Sequence, residues 1–92
     1  MSKTSTGQLV FTIGVNDRVE KDEQFTQFVV SSLRRHLQGD WGELSREDWE
    51  ENELSLREGF RLLSSYNYND EEIWIITEAD RATTTVLFPS EY

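Results

Sequence analysis

The chain has 92 residues, of which 36% are hydrophobic, and a formal net charge of −9 at pH 7. This length suits one compact domain. The acidic balance weighs against direct binding of nucleic acid, because a protein that neutralises phosphates needs a basic face. No cysteine is present, which excludes disulfides and thiolate metal sites. The N-terminus lacks the apolar segment of a secretory signal and no run is long enough to span a bilayer, so we expect a cytoplasmic protein that binds no membrane.

The first residues predict a leader and a strand. Residues 1–7 are polar and are expected to form a flexible leader, which leaves residues 8–92 as the single domain. β-Branched and aromatic residues over 8–13 predict the first strand. Gly14 ends that run, and the pair at 16–17 predicts a turn.

A helix is predicted next, over residues 22–38, where apolar residues recur at helical spacing. Acidic residues near its start and basic residues in its last turn both oppose the helix dipole. Gly39 is expected to close the helix. The single histidine, His36, lies in the last turn, where we expect it to bond to free carbonyl groups rather than to take part in catalysis.

A second helix is predicted to begin after Ser45 and to end at Gly59. Ser45 and Asp48 have the spacing of a capping box, in which each side chain bonds to the other's backbone N–H. The inward positions of this helix are few: Trp49, Leu56 and either Leu54 or Asn52. Such a polar helix gains little from packing, so it must dock through a few large contacts.

Three further strands are predicted over residues 60–66, 73–77 and 82–88, with a hairpin loop at 67–72 between the first two. Pro89 ends the last strand because it has no N–H to donate. The order β-α-α-β-β-β predicts an α+β fold. We expect an antiparallel sheet of about four strands with two helices on one face.

The sequence contains no pattern that predicts a reaction. No nucleophile elbow or glycine-rich phosphate loop is present. The acidic stretches at 16–23 and 67–72 lack the central glycine and the final glutamate of a calcium loop. We therefore predict no catalytic residue, cofactor or metal ion, with a small metal-dependent hydrolase that uses clustered acids as an alternative.

The strongest feature is an acidic segment, residues 40–58, which contains eight acidic and two basic residues and has a charge of −6. Such a concentration of charge steers association with a basic surface. Trp41 and Trp49 are expected to fasten the segment to the body, which reduces the entropy lost on binding. We predict that six acids bind a partner: Asp40, Glu43, Glu47, Asp48, Glu50 and Glu51. The alternatives are a solvated face that only maintains solubility, or an interface within residues 1–38.

Four motifs resemble, in the same order, a family of small proteins carried by phages, plasmids and integrated elements. They are GDWGE at 39–43, RLLSSY at 61–66, IWIITEADR at 73–81 and VLFPSEY at 86–92. The resemblance covers residues 39–92. Residues 1–38 depart from it, because relatives have a Pro-Gly-Ala-Leu-type helix start where this chain has Thr-Ile-Gly-Val at 12–15. The front of the chain is therefore expected to carry a different surface.

In size, acidity and this likeness to mobile-element proteins, the chain is also similar to anti-CRISPR proteins, particularly phage-encoded inhibitors of type I-F surveillance complexes. That resemblance implies a non-catalytic inhibitor in the cytoplasm of an infected bacterial host. It implies binding to the basic Cas subunits where target DNA or guide RNA is held, and hence blocked binding of target DNA. The alternative is an acidic antagonist of another nucleic-acid enzyme, such as a restriction complex. Neither resemblance implies which subunit is bound.

Overall fold

The computed structural model describes residues 4–92. Residues 1–3 of the predicted leader lie outside the described residues, and residues 4–7 form neither helix nor strand. The elements are β1 (Gln8–Phe11), α1 (Ile13–Lys21), α2 (Glu23–Leu37), α3 (Arg46–Glu58), β2 (Leu62–Tyr68), β3 (Glu71–Thr77), β4 (Thr83–Leu87) and a 3-10 turn (Pro89–Glu91). The fold is α+β, as predicted.

The sheet has the strand order β1-β4-β3-β2. Strands β2, β3 and β4 are antiparallel neighbours, whereas β1 is parallel to β4, with Leu9 opposite Thr84. The sheet is therefore mixed, and the predicted wholly antiparallel sheet is wrong at this pair. Neighbouring residues do not specify this parallel pairing, because the three α-helices and the β2–β3 hairpin separate the two strands in the chain.

Helix α1 replaces the predicted end of the first strand and the predicted turn at 16–17. The Thr12 side chain does not cap this helix. The cap comes from Glu91, whose carboxylate accepts bonds from the Thr12 hydroxyl at 2.6 Å and from the Gly14 N–H at 2.9 Å. The capping group lies 77 residues away from Gly14, so the start of the helix has no signature in its neighbouring residues.

Helices α1 and α2 pack on one face of the sheet, here called the inner face. Val15 from α1 and Phe25 and Val29 from α2 join a buried cluster with the inward side chains of the strands: Tyr66, Ile73, Ile75 and Val86. The bounds of α2 agree with the prediction, and Gly39 follows its end in the left-handed conformation (φ 81°), as expected. This cluster is the main hydrophobic core.

Helix α3 lies along the edge of β2 instead of joining α2 on the inner face, so the predicted placement of the two helices on one face of the sheet is wrong. Its start is confirmed, because the Ser45 hydroxyl accepts a bond from the Asp48 N–H at 3.1 Å. Its end at Gly59 is confirmed as well (φ 79°). The Asn52 Oδ1 atom accepts a bond from the Leu63 N–H of β2 at 3.0 Å. A side chain of the helix thus satisfies a donor of the edge strand.

The predicted loop at 67–72 is shorter in the structure. Strands β2 and β3 continue until only Asn69 and Asp70 remain between them, with φ angles of 48° and 63°. Two consecutive left-handed residues are typical of a type I′ hairpin turn, which matches the twist of the strands. The strands are longer because this turn needs only two residues.

We expect Glu91→Gln to lower the free energy of unfolding by about 1 kcal/mol at pH 7, the usual contribution of a helix cap at a solvent-screened site. Burial raises the pKa of Glu91, but the bonds from Thr12, Phe88 and Gly14 outweigh it and hold the pKa below its usual value. The contribution is therefore present above about pH 4.5 and is lost as the pH falls further. Urea titrations of both proteins at pH 7 and pH 3.5 measure this difference.

The matched control is Glu20→Gln, which makes the same chemical change at an exposed position near the other end of α1. It should leave the urea midpoint within error of the parent. Equal midpoints for Glu91→Gln and the parent at pH 7 would show that the carboxylate does not stabilise the helix.

Candidate functional site

The connection between α2 and α3 holds the first of the predicted site residues in a fixed conformation. Trp41 is completely buried, with its ring edge-on to His36 at a centroid distance of 5.4 Å. Gly42 has a φ of 76°, and a Cβ atom there would lie 1.9 Å from the Ser65 carbonyl oxygen, so no other residue fits. The Tyr66 hydroxyl donates to the Asp40 carbonyl oxygen at 2.7 Å. Trp41 therefore fastens the segment as expected, and Trp49 is half-buried.

Asp40 differs from the other predicted site residues because three hydrogen bonds within the chain hold its carboxylate. It accepts bonds from Arg35 Nε at 2.8 Å, from Arg35 Nη2 at 3.2 Å and from the Gly42 N–H at 3.1 Å. The Arg35 guanidinium is the main reason that the pKa of Asp40 lies below its usual value. The Asp40 carboxylate therefore stabilises the connection between α2 and α3.

The remaining five acids are divided between two sides of the acidic segment. Glu43 in the connection and Asp48 and Glu51 on α3 line a cleft beside the sheet. Glu47 and Glu50 are exposed and do not line it. Glu50 accepts a bond from the exposed Arg46 at 3.3 Å, a contact that contributes little in water. The structure therefore separates three cleft acids from two outer acids.

The cleft has a volume of about 540 Å³ and lies between α3 and the outer face of the β2–β3 hairpin. Four carboxylates line it against one guanidinium, that of Arg61. The carboxylates belong to Glu43, Asp48, Glu51 and Glu72. Leu44, Leu63 and Trp74 contribute the apolar part of its wall. The result is a half-open, acidic groove with an apolar wall.

Glu72 is a cleft residue that sequence reasoning missed. Its Oε2 atom accepts bonds from the Ser65 hydroxyl at 2.6 Å and from Trp74 Nε1 at 2.9 Å, so its orientation is fixed. The prediction left Glu72 in the hairpin loop. Strand periodicity, extended back from Trp74 by two residues, would have placed it on the same face of the sheet.

Within residues 4–92, no group of three or more histidine, aspartate or glutamate side chains is arranged to bind a metal ion. The four cleft carboxylates therefore do not form such a group. In the same part of the chain, no helix has both the length and the apolar character required to cross a membrane.

The prediction that His36 caps the end of α2 is wrong. The His36 side chain lies inside the fold. Its Nδ1 atom is 2.6 Å from the Ser64 hydroxyl, and its Nε2 atom is 2.8 Å from the Thr77 hydroxyl. The Thr77 hydroxyl in turn is 2.8 Å from that of Thr84. The last turn of α2 rests on the inner face, so the ring points at the strands. All four side chains are buried, and the network has no surface at which a substrate could react.

Comparison of the chain with protein-family models, with curated proteins and with solved structures finds no significant match. The resemblance of residues 39–92 to mobile-element proteins and to anti-CRISPR proteins stays a prediction. The functional argument therefore depends on the geometry and charge of the acidic segment.

Burial lowers the pKa of His36 to about 4, and the charge of Arg81 adds to the effect. The unfolded chain binds a proton near pH 6.5, so it takes up more protons than the folded chain between those two values. The stability contributed by the neutral ring is complete above pH 6.5 and decreases toward pH 4. We expect a loss of about 2 kcal/mol between pH 7 and pH 5, measured by urea unfolding.

His36→Gln provides the control, because it removes the titrating group while keeping a polar side chain. Carboxylates titrate in both proteins, so their effect cancels in the comparison. Whatever its absolute stability, the variant should lose clearly less than the parent over this pH range. Parallel losses in the two proteins would contradict a neutral, buried His36.

Proposed function

We propose that this chain is a non-catalytic inhibitor of a type I-F CRISPR surveillance complex in the cytoplasm of an infected bacterium. It binds basic Cas surfaces that hold target DNA or guide RNA and thereby blocks the binding of target DNA. The single observation that carries the proposal is the display of five exposed carboxylates on a rigid support. They belong to Glu43, Glu47, Asp48, Glu50 and Glu51.

The rigidity of the support favours this proposal. Trp41 is buried, Gly42 is fixed against Ser65, and Asn52 bonds α3 to the edge of β2. The backbone that carries the carboxylates is thus positioned before a partner arrives, so binding orders only the exposed side chains and not the segment itself.

The arrangement of charge on α3 also supports a basic partner. Glu47 lies three residues before Glu50 and four before Glu51, and like charges at these spacings destabilise a helix. Contact with lysine and arginine side chains removes that repulsion. The surface therefore gains more from a basic partner than isolated carboxylates would.

The test is capture of a purified, guide-loaded type I-F surveillance complex by the tagged chain, with target DNA added either before or after it. Co-elution that prevents later DNA binding supports the proposal. Capture of a restriction complex instead would favour the alternative antagonist. Failure to capture the surveillance complex would refute the proposed partner.

The outer acids provide a mutational prediction. We expect Glu47→Lys with Glu50→Lys to weaken binding to the surveillance complex about tenfold or more at 0.15 M salt, since like charges across an interface are strongly unfavourable. Neither side chain lines the cleft, and within residues 4–92 the one ion pair that either makes is the exposed Arg46–Glu50 pair. The fold should therefore be preserved, and surface plasmon resonance measures the affinity.

Asp17→Lys with Glu20→Lys is the matched control, because it reverses two exposed acids at the same spacing on α1. The total charge changes equally in both variants. A similar loss in both would indicate an effect of net charge and would argue against α3 as the binding surface.

A further inference from the structure

The cleft between α3 and the hairpin contains a buried donor that has no acceptor. Asn52 lines the cleft and is only 5% exposed. Its Oδ1 atom is bonded to the Leu63 N–H, which fixes the amide, and its Nδ2 group has no hydrogen-bond partner within residues 4–92. An unpartnered buried donor reduces stability. The Nδ2 group is covered in the free protein, so a ligand that displaces the side chains over it and brings an acceptor gains a bond that the free protein lacks.

We propose that the cleft binds an arginine side chain from an extended segment of the partner. The inference rests on the proposed function and names the chemistry that the acidic surface recognises. Such a segment carries both groups that the cleft needs. Its guanidinium faces the carboxylates, and its backbone carbonyl oxygen accepts the bond from Asn52.

The contacts of Glu72 favour a guanidinium. In the part of the chain that the structure describes, Ser65 and Trp74 both donate to the Oε2 atom, and no donor bonds to Oε1. The carboxylate is thus held at its Oε2 atom, and Oε1 is free for a ligand. Arginine presents paired N–H groups in a rigid fork and stacks on aromatic rings, whereas lysine presents a strongly hydrated point charge. Trp74 provides a ring on the same wall.

Arg61 of this chain lines the cleft, but its hydrogen bonds and ion pair are made elsewhere. Arg61 lies over the Tyr92 ring at 5.3 Å, donates to the Tyr92 hydroxyl at 2.9 Å and approaches Glu78 at 3.9 Å. Its interactions are with residues that do not line the cleft. The Tyr92 ring in turn contacts Trp74 edge-on at 5.6 Å. The Arg61 guanidinium therefore stacks on Tyr92 outside the cleft and leaves the cleft carboxylates to a ligand.

The test is an NMR titration of the full chain with the blocked peptide acetyl-Ala-Arg-Ala-amide, and in parallel with its lysine counterpart. The arginine peptide should shift the Trp74 indole N–H and the Asn52 side-chain amide resonances. We expect the lysine peptide to bind about threefold more weakly. Glu72→Gln should weaken the arginine peptide about fivefold, the upper range for an exposed ion pair. Glu51→Gln provides a second cleft variant.

Glu47→Gln is the matched control, since it removes one charge from α3 outside the cleft and should change the affinity by less than about twofold. No shift at Trp74 and Asn52 would overturn the inference, as would equal affinity for the two peptides or an equal effect of Glu47→Gln. Peptide binding without capture of the surveillance complex would refute the proposed function and leave the arginine site established. Capture of the surveillance complex without peptide binding would support the proposed function and refute the arginine site.

Discussion

The position of the acidic surface depends on how the outer edge of β2 is satisfied. An edge strand exposes N–H and C=O groups that need partners. Here the Ser65 N–H donates to the Trp41 carbonyl oxygen at 3.2 Å, the Ser65 carbonyl accepts from the Glu43 N–H at 2.7 Å, and Asn52 accepts from Leu63. These bonds attach the connection and α3 to the sheet. A helix with few apolar residues is thereby held in place by polar contacts with a backbone that needs them.

Strand β2 connects the two sides of the domain through consecutive serines. Ser64 points inward to His36, and Ser65 points outward to Glu72. Because successive side chains of a strand alternate between faces, the same segment anchors the last turn of α2 on one face and orients a cleft carboxylate on the other. The inner network is buried, and each of its hydroxyl and ring groups has a partner. It fixes α2 against the sheet, and α2 in turn fixes the connection in which Trp41 lies.

The elements that sequence reasoning predicted correctly are those specified by neighbouring residues. Helix α2 has its periodicity and closing glycine, α3 has Ser45 and Gly59, and the hairpin has two strands around a polar turn. The elements that it missed depend on distant partners. The cap of α1 comes from Glu91, and the parallel partner of β1 is β4. The same distinction applies to the candidate site. The run of acids on α3 is visible in the sequence, but Glu72 and the role of Asn52 appear only when the hairpin lies beside the helix.

The two groups of acids on this surface suit different steps of association. Outer acids such as Glu47 and Glu50 act over about 8 Å at physiological salt and do not require a defined contact. They raise the rate of encounter with any basic surface. Glu72 is held by two hydrogen bonds beside an aromatic ring, so its contribution depends on the geometry of the ligand. In the proposed complex, charge on the outer side thus provides attraction, whereas the cleft provides discrimination among basic partners. A surface with the first property alone would bind many basic proteins with little preference.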